Sequence, residues 1–229
     1  MDHTPLIIPQ SMAVETMAHY HTVGELTKST RTIIIALHGY GQTSEYMAGK
    51  FDWIDPQSQF VICPEGLNAF YWHKDNEPVA CWMTKRHRFD EIESFVSYLD
   101  QLYHRYCSHV NQQTKIIFFG FSQGCATVWR WLHASQPRVD AVVNWAGWIP
   151  EDISYIHLQD YFSDIDMFLH YGKEDRFIND ETITSIKDIL EKNKIDLEIS
   201  SWPGKHHIPK QALTDFFENK LLTAVSTPA

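Results

Sequence analysis

Residues 116–129, IIFFGFSQGCATVW, decide the fold. An apolar run of the kind that fills a covered strand rises into Gly120-Phe121-Ser122-Gln123-Gly124, and small residues then stand where bulky ones would be expected. The stretch reads as strand, sharp turn, helix. Gly-x-Ser-x-Gly at such a junction is a nucleophile elbow, in which the serine takes a strained backbone conformation and the small residues let the helix start pack close to the strand. A bare Gly-x-Ser-x-Gly also occurs in ordinary turns, so the weight lies in the strand before it and the helix after it.

The same alternation continues outward from this point. Short β-rich runs occupy Thr32–Leu37, Gln59–Cys63, Lys115–Phe119, Val139–Trp145, Asp166–Tyr171 and Asp196–Trp202. The central ones are apolar without alternation, as strands covered on both faces must be. Between them, Phe89–Tyr106 places Ile92, Phe95, Val96, Leu99, Leu102 and Tyr103 at spacings of three and four, a stripe that faces a core. Thr182–Lys192 and Gln211–Leu222 repeat the pattern more weakly. Strands separated by helices imply an α/β fold with a mostly parallel central sheet, right-handed crossovers and helices on both faces. The first thirty residues read as an edge strand or hairpin before that sheet, and residues 64–88 as a mostly irregular, functional loop. No repeat, low-complexity block or linker divides the chain, so residues 1–229 are expected to form one domain.

Composition sets the limits of function. With 229 residues, 44% of them hydrophobic, the chain can bury roughly 70–75% of its unfolded surface in one core. Its 19 Lys+Arg against 29 Asp+Glu give a net charge of −10, which argues against nucleic acid, whose binders need a basic face. The N-terminus has an acidic residue where a secretory signal carries positive charge, and no run nears the roughly 18 apolar residues that span a bilayer. Cys63, Cys81, Cys107 and Cys125 show no C-x-x-C spacing and read as free thiols. A cytoplasmic location without integral membrane association is expected.

A serine hydroxyl needs a base to take its proton and a carboxylate to orient that base, and on this fold they follow in the order Ser, acid, His. Downstream, Asp175 comes just after one strand, and His206 and His207 just after the next. Either histidine can be the base. The oxyanion formed on attack needs fixed N–H donors. The amide of Gln123 should be one, and the glycine-bearing turn His38-Gly39-Tyr40-Gly41-Gln42 should supply the other from Tyr40. That turn lacks both G-x-G-x-x-G and the P-loop lysine of phosphate cradles.

Taken together, "LHGYGQ", "GFSQG", "NWAGWIP", "HYGKEDRFI" and "WPGKHHIP" resemble the phospholipase/carboxylesterase family of α/β-hydrolases, which includes acyl-protein thioesterases. The resemblance implies hydrolysis of small-molecule carboxylic esters or thioesters without a cofactor, by Ser122, Asp175 and a histidine. His206 is selected when "GKHHIP" is aligned on the family's "GGHEIP"-like form and His207 on the thioesterase-like form; His206 is taken as the base, with His207 the alternative. The resemblance also sets "CWM" at 81–83 near the mouth, so Trp82, with Trp72 and Trp148, is expected to line an apolar acyl pocket. An acyltransferase using the same acyl-enzyme, and a noncatalytic binding protein on this fold, are the rival readings. His19 and His21 share a strand face without a third ligand, so no metal is expected. "KRHR" at 85–88 reads as a solvated charge run that an anionic substrate could also meet.

Overall fold

The computed structural model describes residues 7–73 and 76–222. The first six residues, where the leader argument begins, and the last seven lie outside that range, as do residues 74 and 75 of the irregular loop. In chain order the elements are β1 (Tyr20–Val23), β2 (Thr32–Leu37), α1 (Ser44–Ala48), β3 (Gln59–Pro64), β4 (Asn68–Tyr71), β5 (Pro78–Cys81), α2 (Arg88–Cys107), β6 (Lys115–Phe121), α3 (Gln123–Ser135), β7 (Ala141–Trp145), α4 (Gln159–Phe162), β8 (Asp166–Gly172), α5 (Asp180–Asn193), β9 (Glu198–Trp202) and α6 (Lys210–Lys220).

Seven strands form one sheet in the order β1-β3-β2-β6-β7-β8-β9. The pairs from β3 to β9 are all parallel, and β1 alone runs antiparallel, on the outer edge of β3. The unbroken apolar runs are explained by burial on both faces. In β2, Ile33, Ile35 and Leu37 enter one core while Ile34 and Ala36 enter the other, and all five are fully buried. Each such isoleucine contributes about 1.5–3 kcal/mol of transfer free energy, so a polar residue on either face would be costly. The first core is closed by α2, α3 and α5 through Phe95, Leu99, Trp129, Trp131, Ile186 and Leu190. Met47 of α1 and Leu213, Phe216 and Phe217 of α6 close the second.

One expectation narrows, one changes, and the expected absence of a large lid domain holds. Of the two readings of the N-terminal segment, its described residues form the edge strand, β1. The "irregular" stretch 64–88 holds an antiparallel hairpin, β4 with β5, which extends to the turn after β2 through an isolated bridge between Gln42 and Ala80. The connection from β7 to β8 holds only a 3₁₀ turn at Ile156–Leu158 and the single turn of α4, so no large lid is inserted there.

β8 carries a pH-sensitive group. His170 lies between the rings of Trp145, Trp202 and Phe216, at centroid distances of 4.8, 5.0 and 5.1 Å, and its Nδ1 is 2.7 Å from Ser200 Oγ. Burial pushes its pKa from 6.5 down to about 4, against the smaller opposing pull of Glu198. The unfolded chain therefore binds the proton first as pH falls. Stability is full above about 6.5 and is lost as pH drops towards about 4. Because the ring is only partly buried, solvent screening reduces the loss to about 1–2 kcal/mol, measured by urea unfolding across that window. His170→Gln should flatten the stability profile by that amount; an unchanged slope would refute the assignment.

Candidate active site

Ser122 stands between the end of β6 and the start of α3 with φ 53° and ψ −115°. A non-glycine residue in that region carries about 1–3 kcal/mol of strain, which persists only where the surroundings over-determine it. They do so here. Ser122 N–H donates to the Trp145 carbonyl at 3.0 Å and the Ser122 carbonyl accepts from Cys125 N–H at 3.0 Å, while Cys125 Sγ donates to the Gly120 carbonyl. A Cβ on Gly124 would collide with the Leu37 carbonyl, and one on Gly120 with the backbone of Cys125. Both motif glycines are thus required by close approach of backbone to backbone.

The parallel sheet carries the other groups to the same end. β8 delivers Asp175 and β9 delivers His206, and their loops are joined where Lys173 N–H donates to the Trp202 carbonyl and Glu174 N–H to the Gly204 carbonyl. His206 Nε2 lies 3.0 Å from Ser122 Oγ, and His206 Nδ1 lies 2.7 Å from Asp175 Oδ2. The Asp175 side chain is wholly buried and that of His206 keeps 17% of its surface exposed. The remaining Asp175 oxygen, Oδ1, accepts from Phe177 N–H at 2.8 Å and Ile178 N–H at 3.3 Å. The imidazole is held between Phe121 and Phe177, with ring centroids at 5.1 and 4.7 Å. His207 points elsewhere: it is exposed, with Nδ1 3.0 Å from the Lys205 carbonyl. Of the adjacent pair, it is His206 that lies within hydrogen-bond distance of both Ser122 and Asp175.

Among the described residues, two backbone N–H groups, one in the turn after β2 and one at the start of α3, are left without an acceptor. In the turn after β2, Gly39 N–H donates to Gln42 Oε1 and Gly41 N–H to the Ala80 carbonyl. Among the described residues no acceptor meets the N–H of Tyr40 or of Gln123. The Gln123 side chain is committed elsewhere, accepting from Trp82 N–H at 2.9 Å and donating to the Met83 carbonyl at 2.8 Å.

The expected pocket residues divide. Trp82 has no exposed surface, so it cannot edge a mouth. Its indole N–H donates to the His38 carbonyl and its ring packs on His38 and Phe95, which makes it a support beneath the site. Trp72 is half-buried and lies over Gly41, whose φ is 72°, beside Tyr40 and Phe70. Trp148 is 42% exposed, Tyr40 52% and Phe177 49%. Phe177 was not singled out in the sequence; its place two residues after Asp175 was the only signal. Arg88 of "KRHR" is paired, at 3.2 Å, with Asp152. A cleft of about 610 Å³ at the amino ends of β8 and β9 lies at the opposite end of the sheet, and its lining, with Asp164, Asp166 and Asp196, has no imidazole to activate a hydroxyl.

The arrangement sets an imidazole, itself bonded to a buried carboxylate, within hydrogen-bond distance of a serine hydroxyl, a geometry that can move the hydroxyl proton to the ring nitrogen. The profile of a family described as phospholipase/carboxylesterase matches residues 18–219. No curated protein matches the sequence. Among solved structures, the chain is similar to Zea mays acyl-protein thioesterase 2, with 16% identity, TM-score 0.66 and coverage of 87% of this chain and 96% of that one. A carboxylesterase from Mesorhizobium loti superposes with 14% identity, TM-score 0.65 and 89% and 95% coverage. The Bacillus cereus carboxylesterase does so with 13% identity, TM-score 0.63 and 89% and 94% coverage. At these identities the superpositions show the α/β-hydrolase fold alone, and it is the match over most of the sequence that shows the family: the chain belongs to the phospholipase/carboxylesterase family.

Proposed function

We propose that this protein hydrolyses small carboxylic esters or thioesters through an acyl-enzyme on Ser122. The observation that carries the reading is the hydrogen-bonded line from Ser122 through His206 to a buried Asp175, set at an elbow above the carboxyl end of the sheet. Ser122 Oγ attacks the acyl carbon as its proton passes to His206 Nε2. The carbonyl electron pair moves onto oxygen, where the amides of Tyr40 and Gln123 and the positive end of α3 stabilise it. Collapse expels the alcohol or thiol, which takes the proton from His206. Water, deprotonated by the same nitrogen, then attacks the acyl-enzyme and releases the acid. Asp175 holds the imidazole in the tautomer that presents a lone pair to serine. Every step is supplied by protein groups and water.

The neighbours on this fold include a thioesterase and carboxylesterases, which keeps both leaving groups in view. Treatment with a fluorophosphonate should label Ser122, since only a base-activated serine attacks phosphorus readily. A panel of acyl esters and thioesters of graded chain length should then show turnover. A folded protein with neither labelling nor turnover would sink the reading.

Substrate size follows from the mouth. The segment after β7 is fastened down: Tyr155 is buried with its hydroxyl on the Pro150 carbonyl, and Asp152 is held by Arg130 at 2.7 Å. Nothing there is built to swing open. Trp148, Tyr40, Trp72 and Phe177 can cover a short or medium acyl chain, each methylene adding up to about 0.8 kcal/mol until the aromatic bed ends. Catalytic efficiency should peak on soluble short or medium chains, without a jump as substrate passes from monomers to micelles. Steep activation at the micelle threshold would overturn this view of the mouth.

A further inference from the structure

We infer that His38 is a positioning residue for the oxyanion site: as the neutral Nδ1–H tautomer it fixes the peptide unit whose other end is the Tyr40 amide. The inference rests on the proposed role of that amide and extends it to a side chain outside the Ser122–His206–Asp175 line.

His38 is fully buried immediately after β2, and both ring nitrogens have partners. Gly66 N–H donates to Nε2 at 2.9 Å, so Nε2 must hold a lone pair and the ring proton must sit on Nδ1. From there it donates to the Gly39 carbonyl at 2.8 Å. The carbonyl of Gly39 and the N–H of Tyr40 belong to one planar trans peptide, so fixing the oxygen fixes the direction of the hydrogen. A hydrogen bond accepted at the carbonyl also polarises the unit and strengthens its N–H as a donor.

The neighbouring peptides are pinned as well. Gln42 Oε1 takes Gly39 N–H, the Ala80 carbonyl takes Gly41 N–H, and Ala80 N–H donates back to Gln42. His38 also lends its own carbonyl to the Trp82 indole and stacks against that ring at 5.1 Å. Burial keeps the imidazole neutral, lowering its pKa against the pull of the Gly39 carbonyl and of Glu65. Glu65 is in turn anchored by the N–H and hydroxyl of Ser44. The oxyanion turn is thus oriented from beneath, by a histidine that substrate never touches.

Two side chains separate the two bonds. Asn places its amide nitrogen where Nδ1 stands and keeps the donor to Gly39, whereas Gln reaches the Nε2 position and keeps only the acceptor for Gly66. Against an activated aryl ester, His38→Leu should lower kcat about 10²-fold with KM nearly unchanged, the scale of one oxyanion donor lost. Fluorophosphonate labelling of Ser122 should slow in parallel. His38→Asn should recover kcat to within about tenfold of wild type, and His38→Gln should not, although thermal unfolding of the two should be similar. Equal kcat in the Asn and Gln variants, or losses that only track melting temperature, would overturn the inference while the hydrolase reading stood. Wild-type protein that shows no turnover and no Ser122 labelling would overturn both.

Discussion

Ser122→Ala should lower kcat about 10⁶-fold, the scale seen when the nucleophile of a serine protease is removed, with binding of ester and thermal stability near wild type. The separation of effects follows from the geometry. Alanine at φ 53° meets the same backbone strain as serine, and the backbone bonds of residue 122 to Trp145 and Cys125 do not involve the side chain. What disappears is one hydroxyl, 3.0 Å from His206 Nε2, and with it the covalent route. The Tyr40 and Gln123 amides stay, so a small residual rate from oxyanion stabilisation alone is expected. Labelling by fluorophosphonate should vanish entirely. Purified, folded Ser122→Ala protein that retains more than about 1% of turnover would mean that another group is the nucleophile, and the mechanism would fail.

The fold was legible because its signals are the ones burial imposes. Strands covered on both faces must be apolar throughout, so Thr32–Leu37 announced β2 and the run from Ile116 to Phe119 announced β6, and the three-and-four stripe of α2 did so for the same reason. The hairpin of β4 and β5 did not. It is only half-buried and its alternation is short, and its link to the turn after β2 runs through Gln42 and Ala80, thirty-odd residues apart in sequence.

Placement of the site residues was legible to the extent that strand ends place them. Ser122, Asp175 and His206 each follow a parallel strand, and parallel strands end at one edge of the sheet. What lay hidden was which way side chains turn. His206 and His207 are neighbours of identical chemistry, and only the bonds of the loop, with His207 turned to the Lys205 carbonyl, tell them apart. Trp82 was misplaced for a related reason. Tryptophan in a loop suggests a pocket wall, but here its indole N–H found the His38 carbonyl and the ring was drawn beneath the site. Beside the amide proposed for the oxyanion, Gln123 has a side chain that ties Trp82 and Met83 to the elbow, and the motif gave no sign of that second task.

Asp175→Asn should cost about 10⁴-fold in kcat, and the surroundings of the carboxylate say why. Oδ1 faces two backbone donors, Phe177 N–H and Ile178 N–H, while Oδ2 faces His206 Nδ1. An asparagine has one oxygen and one NH₂ to place in those two positions. Turning the NH₂ towards Phe177 and Ile178 would set donor against donor twice in a buried site, so the oxygen must stay there. The NH₂ then points at His206 and demands a lone pair on Nδ1. The ring proton is forced onto Nε2, opposite Ser122, where it can no longer accept the hydroxyl proton. The variant should therefore fold normally, bind ester normally and react with fluorophosphonate as slowly as it turns over. Asp164→Asn, Asp166→Asn and Asp180→Asn change exposed carboxylates that have no bond to His206, and each should remain within about threefold of wild type. A loss below tenfold at position 175 would show that the imidazole takes its orientation from another group, with Phe121 and Phe177 the remaining contacts able to hold it.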